Sequence, residues 1–488
     1  MNTPISELAR AAQAVTAAPP APANDKAERI AEAVREALSC AASGSAQRSC
    51  SLFDEVAKAA GEPLLLDLPS VLAVHQPWFG VSASDLTLEL IEQGFLPCWL
   101  EQDQPLPAPK GSAGSGPIPT TAEDLRNLRY EGISLWEVAR YDFCVRHELS
   151  LVEAERTLLE RSDDLLREYA RALALIDRAA RYMDVFQPKC ALIAQGHIMA
   201  SAVVRAVAQA RGIRVIALEN TFHSERLLWD DDAALPVVAS RAKAVWLREG
   251  SRVSDTQAEA YVADFFARAK LLKSAEHASP QGMPPWPASD GRGRIVLLGQ
   301  VATDAAVLFG LRRGFNRQLD VIRCVASYAD RHGHALVVKL HPKEATGQSP
   351  LATPYRRLSE RQLRADPVLA ELLERGTFTL DADNSIDTDR LTDGADVCVA
   401  VNSQAGLEAL VRGREVVLCG EAFYGHLGLT HEAEDPASLE VALGRALHED
   451  SKRNRGSEAK RFFYTYLEKL CLPKTQSVMA ELCARQPA

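Results

Sequence analysis

Three polar residues stand where an apolar run meets a helical pattern in the C-terminal part of the sequence. The segment Ala400–Gly420 reads AVNSQAGLEALVRGREVVLCG, so apolar residues give way to Asn402, Ser403 and Gln404. The pattern predicts a strand, then a helix that ends at Gly413, then a second strand. Because Asn and Ser side chains accept hydrogen bonds from the free N–H groups of a helix, the simplest interpretation is an N-cap.

The same junction is also suited to binding a phosphate. The first turn of a helix presents unpaired N–H groups and the positive end of the helix dipole to a ligand. Gly406, near the start of the helix, would allow a ligand to approach the backbone closely. Glu408 follows further along the helix, where its carboxylate can accept hydrogen bonds from ribose hydroxyls. The pattern alone leaves the capping and the phosphate-binding interpretations open.

Two other predicted strands of the same region end in polar residues. The strand ALVVKLHP carries Lys339 and His341, which alternate with a leucine and can point to one side, and it ends at Pro342. A lysine and a histidine facing one site can bind phosphate or stabilise a developing negative charge. The strand RIVLLGQ ends at Gly299 and Gln300. Because ligands bind beyond the carboxyl ends of parallel strands, we expect all three polar ends at one edge of one sheet.

An ionisable residue also ends an apolar strand in the N-terminal half of the chain. The strand IRVIALEN brings Glu219 to its end, where a lone carboxylate needs a partner, such as His197 or His223, or a role in chemistry. We predict catalytic functions for Glu219 and His223, and for Asp142 in the segment ARYDF. The acidic run 230–232 is an alternative carboxylate, although an exposed acidic loop is its simpler interpretation.

The composition of the chain limits the classes of protein to which it can belong. With 488 residues and a hydrophobic fraction of 47%, the chain is long enough for two or more globular domains. Its formal net charge of −10 argues against a general affinity for nucleic acid or anionic lipid. The 10 cysteines form no CxxC pair, which favours reduced thiols in a cytosolic protein. No apolar run is long enough for a membrane span, and no secretory signal pattern is present.

Strand and helix patterns alternate on both sides of a Pro- and Gly-rich linker at 279–294, which predicts two doubly wound α/β domains. We expect an Ala-rich lead at 1–60 that is helical or partly disordered and peripheral. An N-terminal domain at 61–285 and a C-terminal domain at 286–450 would follow. The last segment, 451–488, would form a helix that packs back on the body. Two such domains would leave a cleft between them.

Three segments of the C-terminal half carry a resemblance when they are taken together and in order. They read GQVATDAAVLFG, KLHPKE and SQAGLEALVRGREVVLCGEAFYGHLGLT, and they fall within Arg294–Thr430. These segments resemble the bacterial capsule polysaccharide synthesis family, whose members include β-Kdo transferases. The similar family patterns are GQV followed by an Asp, K-x-HP, and a Ser-to-Thr stretch that contains EAL and FY.

The resemblance implies a GT-B arrangement, with two Rossmann-like domains facing a central cleft and the nucleotide of a CMP-sugar in the C-terminal domain. It implies that His341 and Ser403 contact phosphate, while the N-terminal domain binds the acceptor. The implied reaction transfers Kdo or a related acidic sugar from its CMP donor to a surface polysaccharide or glycolipid, without a metal or another cofactor. The donor-binding residues expected are Gly299, Gln300, Lys339, His341, Pro342, Asn402, Ser403, Gln404 and Glu408.

Several alternatives remain open from the sequence. A UDP-sugar or CDP-glycerol could replace the CMP-sugar, and the reaction could be an epimerisation within the same fold. A non-catalytic assembly protein that has kept the donor fold is a third interpretation. Glu219 would act as a base if the anomeric centre is inverted and as a nucleophile if its configuration is retained. The expected location is cytoplasmic, with peripheral association with assembly machinery at the inner membrane left open, and with no nucleic-acid partner.

Overall fold

The chain divides into two compact units. A computed structural model describes residues 25–60, 63–64, 69–75, 82–101, 121–223, 225–231, 239–276, 286, 292–311, 314–346, 356–448 and 455–485. Unit 1 comprises Met1–His147, Ala154–Pro236 and Cys471–Ala488, whereas unit 2 comprises Glu148–Glu153 and Val237–Leu470.

The strands are numbered in chain order. They are β1 (Ser70–His75), β2 (Leu96–Glu101), β3 (Arg129–Tyr130), β4 (Ile133–Ser134), β5 (Cys190–Ala194), β6 (Arg214–Asn220), β7 (Arg226–Asp231), β8 (Arg292–Leu298), β9 (His334–Lys339), β10 (Phe378–Asp381), β11 (Val397–Ala400), β12 (Glu415–Leu418), β13 (His431–Glu432) and β14 (Leu472–Pro473).

The helices are numbered in the same way, and a 3-10 turn at Gly250–Arg252 and a π-helix at Tyr466–Leu470 accompany them. They are α1 (Asp25–Ala42), α2 (Ala46–Ala60), α3 (Ala83–Glu92), α4 (Ala122–Asn127), α5 (Leu135–Arg146), α6 (Leu151–Arg156), α7 (Ser162–Phe186), α8 (Met199–Ala210), α9 (Ala239–Glu249), α10 (Asp255–Glu276), α11 (Ala305–Gly310), α12 (Gln318–His332), α13 (Pro342–Thr346), α14 (Leu358–Ala365), α15 (Pro367–Glu374), α16 (Thr388–Asp393), α17 (Gln404–Val411), α18 (Pro436–Leu447), α19 (Arg455–Thr465) and α20 (Gln476–Ala484).

Unit 1 is built on a six-stranded sheet in the order β14-β7-β6-β5-β1-β2. The four strands β6, β5, β1 and β2 are parallel, and β7 and β14 add antiparallel pairs at one side. Every residue of β5 is buried, as expected for a short apolar strand with both faces covered. The parallel strands bring the polar residues that follow β5 and β6 to one edge of the sheet.

Unit 2 is built on a second six-stranded sheet in the order β10-β9-β8-β11-β12-β13. All five neighbouring pairs are parallel. The strands β11 and β12 are buried throughout, and α12 and α18 pack apolar side chains on this core. The predicted fold class, α/β with two doubly wound Rossmann-like domains, is confirmed in each unit.

The N-terminal helices are part of the unit 1 core. Phe53 of α2 is fully buried and its ring centroid lies 5.7 Å from that of Phe186. The Tyr182 hydroxyl donates a hydrogen bond of 3.2 Å to the Cys50 carbonyl. The lead predicted at 1–60 is therefore helical over 25–60, but its second helix is packed in the core and is not peripheral. Residues 1–24 of that lead lie outside the described residues.

The unit boundary differs from the predicted one, because the chain passes into unit 2 at Val237 and not near 286. The reason is aromatic packing between α10 and α19, which lie far apart in sequence. The Tyr261 hydroxyl donates to Glu468 Oε1 at 2.7 Å, and the ring centroids of Phe265 and Phe463 are 5.0 Å apart. The predicted C-terminal segment is also divided, since Cys471 and the residues after it belong to unit 1.

The described helices include none that is both long and apolar enough to cross a membrane. Most of the predicted linker at 279–294 lies outside the part of the chain that the structure describes.

Candidate functional site

The three polar strand ends of unit 2 lie side by side. Because β9, β8 and β11 are parallel neighbours in the centre of the sheet, their carboxyl ends share one edge. The Gly299 backbone N–H donates to the Lys339 carbonyl at 2.8 Å, which joins the ends of β8 and β9. The Asn402 backbone N–H donates to Gln300 Oε1 at 3.0 Å, which joins the segments that follow β11 and β8. The prediction that these segments meet at one edge is confirmed.

Gln300 and Asn402 form the framework of this edge. Gln300 is 7% exposed, and its backbone N–H donates to Gln318 Oε1 at 2.7 Å. Asn402 is 8% exposed, and its Nδ2 donates to the Ala306 carbonyl at 2.6 Å. These contacts fix the loops after β8 and β11 relative to each other. The two amides therefore hold the loops and are less suited to the direct donor contacts that were predicted for them.

The side chain of Lys339 is occupied by partners within unit 2. Its ammonium is buried and donates to Asp381 Oδ2 at 2.7 Å, Asn384 Oδ1 at 2.7 Å and the Ile386 carbonyl at 2.8 Å. Three contacts use all three N–H donors of the ammonium. The prediction that Lys339 faces a phosphate is therefore wrong, because Asp381, a buried carboxylate at the end of β10, neutralises the ammonium. Although burial opposes it, the bonds from Lys339 and Ser385 hold the pKa of Asp381 below its ordinary value.

His341 stays at the edge as a neutral hydrogen-bond donor. The Lys343 backbone N–H lies 3.1 Å from Nδ1, and this bond requires a lone pair there, so the ring proton belongs on Nε2. Burial, with the charges of Lys343 and Lys339, lowers the pKa of His341 to about 4. Pro342 begins the short helix α13, and its ring supplies the fixed backbone angle of a first helical residue. The Nε2–H group of His341 can therefore donate to an anionic oxygen without a charge of its own.

Ser403 caps α17, as its sequence pattern predicted. Its hydroxyl accepts from the Ala405 backbone N–H at 3.2 Å, and its carbonyl accepts from the Tyr424 hydroxyl at 2.6 Å. Gln404 and Glu408 are partly exposed on the same helix. The capping interpretation is thus confirmed, and it leaves the phosphate-binding interpretation as a prediction.

Gly406, in the first turn of α17, leaves space for another side chain and not for the predicted ligand. A Cβ atom at Gly406 would overlap the Tyr424 hydroxyl, and it would also approach the Ala400 side chain at 3.2 Å. Gly406 is buried. Its lack of a side chain therefore makes room for a tyrosine from the same unit, and not for the approach of a ligand.

Two carboxylates that were not predicted as site residues hold the loop after β8. Glu344 is buried, and it accepts from the Ala302 backbone N–H at 2.8 Å and the Ser359 backbone N–H at 3.0 Å. Burial raises the pKa of Glu344 above its ordinary value. Asp304 caps α11 through the Ala306 backbone N–H at 2.9 Å. The sequence signal for Glu344 was its position three residues after His341, inside the KLHPKE segment.

Glu219 lies at the end of β6, at the polar edge of the unit 1 sheet. The Gln195 Nε2 group donates to Glu219 Oε1 at 3.3 Å, and the Asn220 backbone N–H donates to the same oxygen at 3.1 Å. The carboxylate is partly exposed. Its place at the strand end is the one that the sequence predicted.

His223 occupies the turn between β6 and β7. Its Nδ1 accepts from the Glu225 backbone N–H at 3.1 Å, and its own backbone N–H donates to Thr221 Oγ1 at 3.1 Å. The Arg226 backbone N–H donates to the His223 carbonyl at 3.0 Å. These bonds make a fixed turn that holds the histidine ring close to the carboxyl end of β6.

Asp142 accepts a hydrogen bond from the first residue of a helix and is not an isolated acid. Its Oδ2 accepts from the Met199 backbone N–H at 2.8 Å, at the start of α8. Burial raises the pKa of Asp142 to about 6, against the lowering effect of that hydrogen bond.

In the acidic run 230–232, Asp231 pairs with Arg214 at 2.7 Å, and Asp232 lies outside the described residues.

A metal-binding cluster is absent from the described residues, since no three His, Cys, Asp or Glu side chains are grouped closely enough to hold an ion. The edge of the unit 2 sheet instead combines a neutral N–H donor, a capped helix start and backbone loops. This set of groups can bind an anionic oxygen by hydrogen bonds. Such a site is typical of phosphate recognition at a helix N-terminus.

Residues 287–445 match the family model of capsule polysaccharide biosynthesis proteins. The resemblance predicted from the three motifs is confirmed over this part of the chain. No curated protein sequence matches the chain.

Three solved structures are similar to this chain. KpsC, beta Kdo 2,4 transferase of Thermosulfurimonas dismutans, is 17% identical with a TM-score of 0.36, over 56% of this chain and 79% of its own. KpsC, beta Kdo 2,7 transferase of the same organism, is 16% identical with a TM-score of 0.34, over 61% and 85%. UDP-GlcNAc 2-epimerase from Neisseria meningitidis is 10% identical with a TM-score of 0.35, over 85% and 100%.

Proposed function

We propose that the protein is a glycosyltransferase that moves Kdo or a related acidic sugar from a CMP-activated donor to a surface polysaccharide or glycolipid acceptor. The observation that carries the proposal is the meeting of His341, Ser403 and the start of α17 at one sheet edge. That edge lies within the residues that match the capsule polysaccharide biosynthesis model.

In the proposed reaction, unit 2 holds the donor phosphate. His341 donates from Nε2, and the positive end of the α17 dipole lies at the same sheet edge. These groups stabilise the negative charge that grows on the leaving CMP, and they need no reorganisation to do so. The amides of Gln300 and Asn402 keep the loops in place. Unit 1 binds the acceptor and supplies Glu219 as the base or the nucleophile.

The first test is a nucleotide screen by thermal shift. Cytidine nucleotides should raise the melting temperature more than uridine or adenine nucleotides, by a stabilisation of about 2.7 kcal/mol at a hundredfold excess over Kd. His341→Ala and Ser403→Ala should reduce the response. Ser82→Ala serves as the matched control, because Ser82 caps α3 in unit 1 through Asp85 in the same way.

An equal response to UDP would refute the CMP assignment. A control variant that also lost the response would show that cap removal acts through general destabilisation. Release of CMP from a CMP-Kdo donor then separates an enzyme from a non-catalytic assembly protein, because the latter should release none.

A further inference from the structure

The C-terminal segment of the chain brings a lysine to the polar edge of the unit 1 sheet. Strand β14 pairs antiparallel with β7, so the segment runs beside the hairpin of β6 and β7. The next residue, Lys474, donates its backbone N–H to the Glu225 carbonyl at 2.8 Å. Its ammonium donates to Asn220 Oδ1 at 2.7 Å. Asn220 directly follows Glu219, so the ammonium lies at the same strand end as the proposed catalytic carboxylate.

Lys474 and Lys339 are both withdrawn from solvent, but their ammonium groups have different partners. Lys339 is neutralised by Asp381. The hydrogen-bond partner of the Lys474 ammonium is a neutral amide oxygen, and among the described residues no carboxylate lies within ion-pair distance of it. Burial lowers the pKa of Lys474 from its ordinary value.

A partly buried ammonium without a negative partner is costly, because it has lost part of its hydration and gained no opposite charge. It has three N–H donors, and one bond to Asn220 leaves capacity for more. The cost is recovered when an anion binds there. An overall charge of −10 gives the protein no general attraction for anions, so any such binding must be local.

The turn between β6 and β7 is tied to Lys474 through Glu225. Nδ1 of His223 accepts from the Glu225 N–H, which places the ring proton on Nε2. The same Glu225 anchors Lys474 through its carbonyl. One residue of the turn thus holds both the histidine ring and the lysine backbone, and the hydrogen bonds of Thr221 keep that turn fixed.

We propose that Lys474 binds an anionic oxygen group, a phosphate or a carboxylate, of the substrate that reacts beside Glu219. This inference rests on the proposed function only in naming the substrate, since the anion site itself is a property of unit 1. The group can belong to the acceptor or to the sugar of the donor. Both sources present the same chemistry to the ammonium, and the kinetic experiment below separates them.

The direct test uses inorganic phosphate as the probe and the full chain without nucleotide. Phosphate is titrated at constant ionic strength against chloride, and the melting temperature is followed. The wild type and Lys474→Arg should be stabilised. Lys474→Met, which keeps the length of the side chain without its charge, should bind phosphate about tenfold more weakly or worse. Lys469→Met is the control, because Lys469 is an exposed lysine in the neighbouring sequence. An unchanged response in Lys474→Met overturns the proposal.

A second measurement covers the case in which Lys474→Met does not fold. The lysines of the wild type are labelled by reductive methylation with ¹³C, and the Lys474 resonance is assigned with Lys474→Arg. Phosphate should shift this resonance at the same concentrations that raise the melting temperature. A resonance that does not respond to phosphate overturns the proposal.

Transfer kinetics identify the source of the anion. A raised KM for the acceptor in Lys474→Met, with the KM for the CMP-sugar unchanged, assigns the group to the acceptor. The reverse result assigns it to the sugar. If neither KM changes, the substrate part of the proposal is wrong. A protein that responds to phosphate through Lys474 but not to cytidine nucleotides would retain the anion site and refute the proposed function.

Discussion

The hydroxyl of Tyr424 occupies the space into which a Cβ atom at Gly406 would project. The same hydroxyl donates to the Ser403 carbonyl at 2.6 Å, so it ties the start of α17 to the segment after β12. Gly406 and Tyr424 are therefore a matched pair that sets where the first turn of the helix lies. The position of the proposed phosphate site depends on this pair.

Gly406→Ala should destabilise the protein by about 1–3 kcal/mol, the usual cost of overpacking a buried position. In a Tyr424→Phe background the same change should cost less, because the hydroxyl that the new methyl group meets is gone. The measurement is urea denaturation of the four variants of the double-mutant cycle. Equal costs in both backgrounds would show that the hydroxyl is not what excludes a side chain at position 406.

Lys339→Met should destabilise the protein by about 3–5 kcal/mol, because it leaves the Asp381 carboxylate buried without its partner. Adding Asp381→Asn should recover part of that loss, since the remaining group is neutral. Chemical denaturation at neutral pH gives both values. The response to cytidine nucleotides should persist in the folded fraction. A stable Lys339→Met protein that has lost the nucleotide response would restore Lys339 as a ligand contact.

The arrangement of the site could be predicted where topology alone determines it. Parallel strands share one edge for their carboxyl ends, so apolar runs followed by Gly299, His341 and Ser403 were enough to bring those residues together. Ser403 as a cap also followed from local chemistry. Both predictions depend on residues that are close in sequence or on a rule that holds for any parallel sheet.

Other features depend on contacts between distant residues, and the sequence could not supply them. The sequence around Lys339 predicts a ligand contact, but Asp381 on a different strand neutralises the ammonium. The sequence around Gly406 predicts space for a ligand, but the hydroxyl of Tyr424, which comes from a later segment, fills that space. Lys474 carried no signal at all, because only the pairing of β14 with β7 brings it to the hairpin.

His341 should titrate with a pKa of about 4 in the protein without ligand, well below the ordinary value of 6.5. Because the folded pKa is depressed, the contribution of His341 to stability is complete above pH 6.5 and is lost as the pH falls towards 4. The Cε1–H resonance in ¹H NMR reports the titration, and His341→Gln should remove this part of the pH dependence of unfolding. A bound cytidine monophosphate should raise the pKa. An ordinary pKa without ligand would contradict the buried, neutral donor.

Asp142→Asn should change how stability depends on pH. The folded pKa of Asp142 is about 6 and its ordinary value is 3.8, so its contribution is complete below 3.8 and is lost as the pH rises through 6. Asparagine keeps an oxygen for the Met199 N–H but does not ionise. The variant should therefore gain stability relative to the wild type above pH 6, as measured by urea denaturation across the range. The same relative stability at both ends of the range would contradict the raised pKa.

Glu219→Gln tests the proposed chemistry in unit 1. The amide keeps the shape of the carboxylate and one oxygen for the Gln195 and Asn220 bonds, but it can act neither as a base nor as a nucleophile. If Glu219 carries the reaction, transfer should fall by about 10²–10⁴-fold, the usual contribution of a general base. The thermal response to cytidine nucleotides should stay close to that of the wild type, because the donor nucleotide is proposed to bind in unit 2.

Glu225→Gln is the matched control, since Glu225 is an exposed carboxylate on the same hairpin and should tolerate the change. Loss of transfer in both variants would point to a general effect of charge at this edge. Near-normal transfer in Glu219→Gln would remove Glu219 from the chemistry. The search for the carboxylate would then move to Asp142, whose pKa of about 6 suits proton transfer near neutral pH, and to Asp230 and Asp231 at the opposite end of the β6–β7 hairpin.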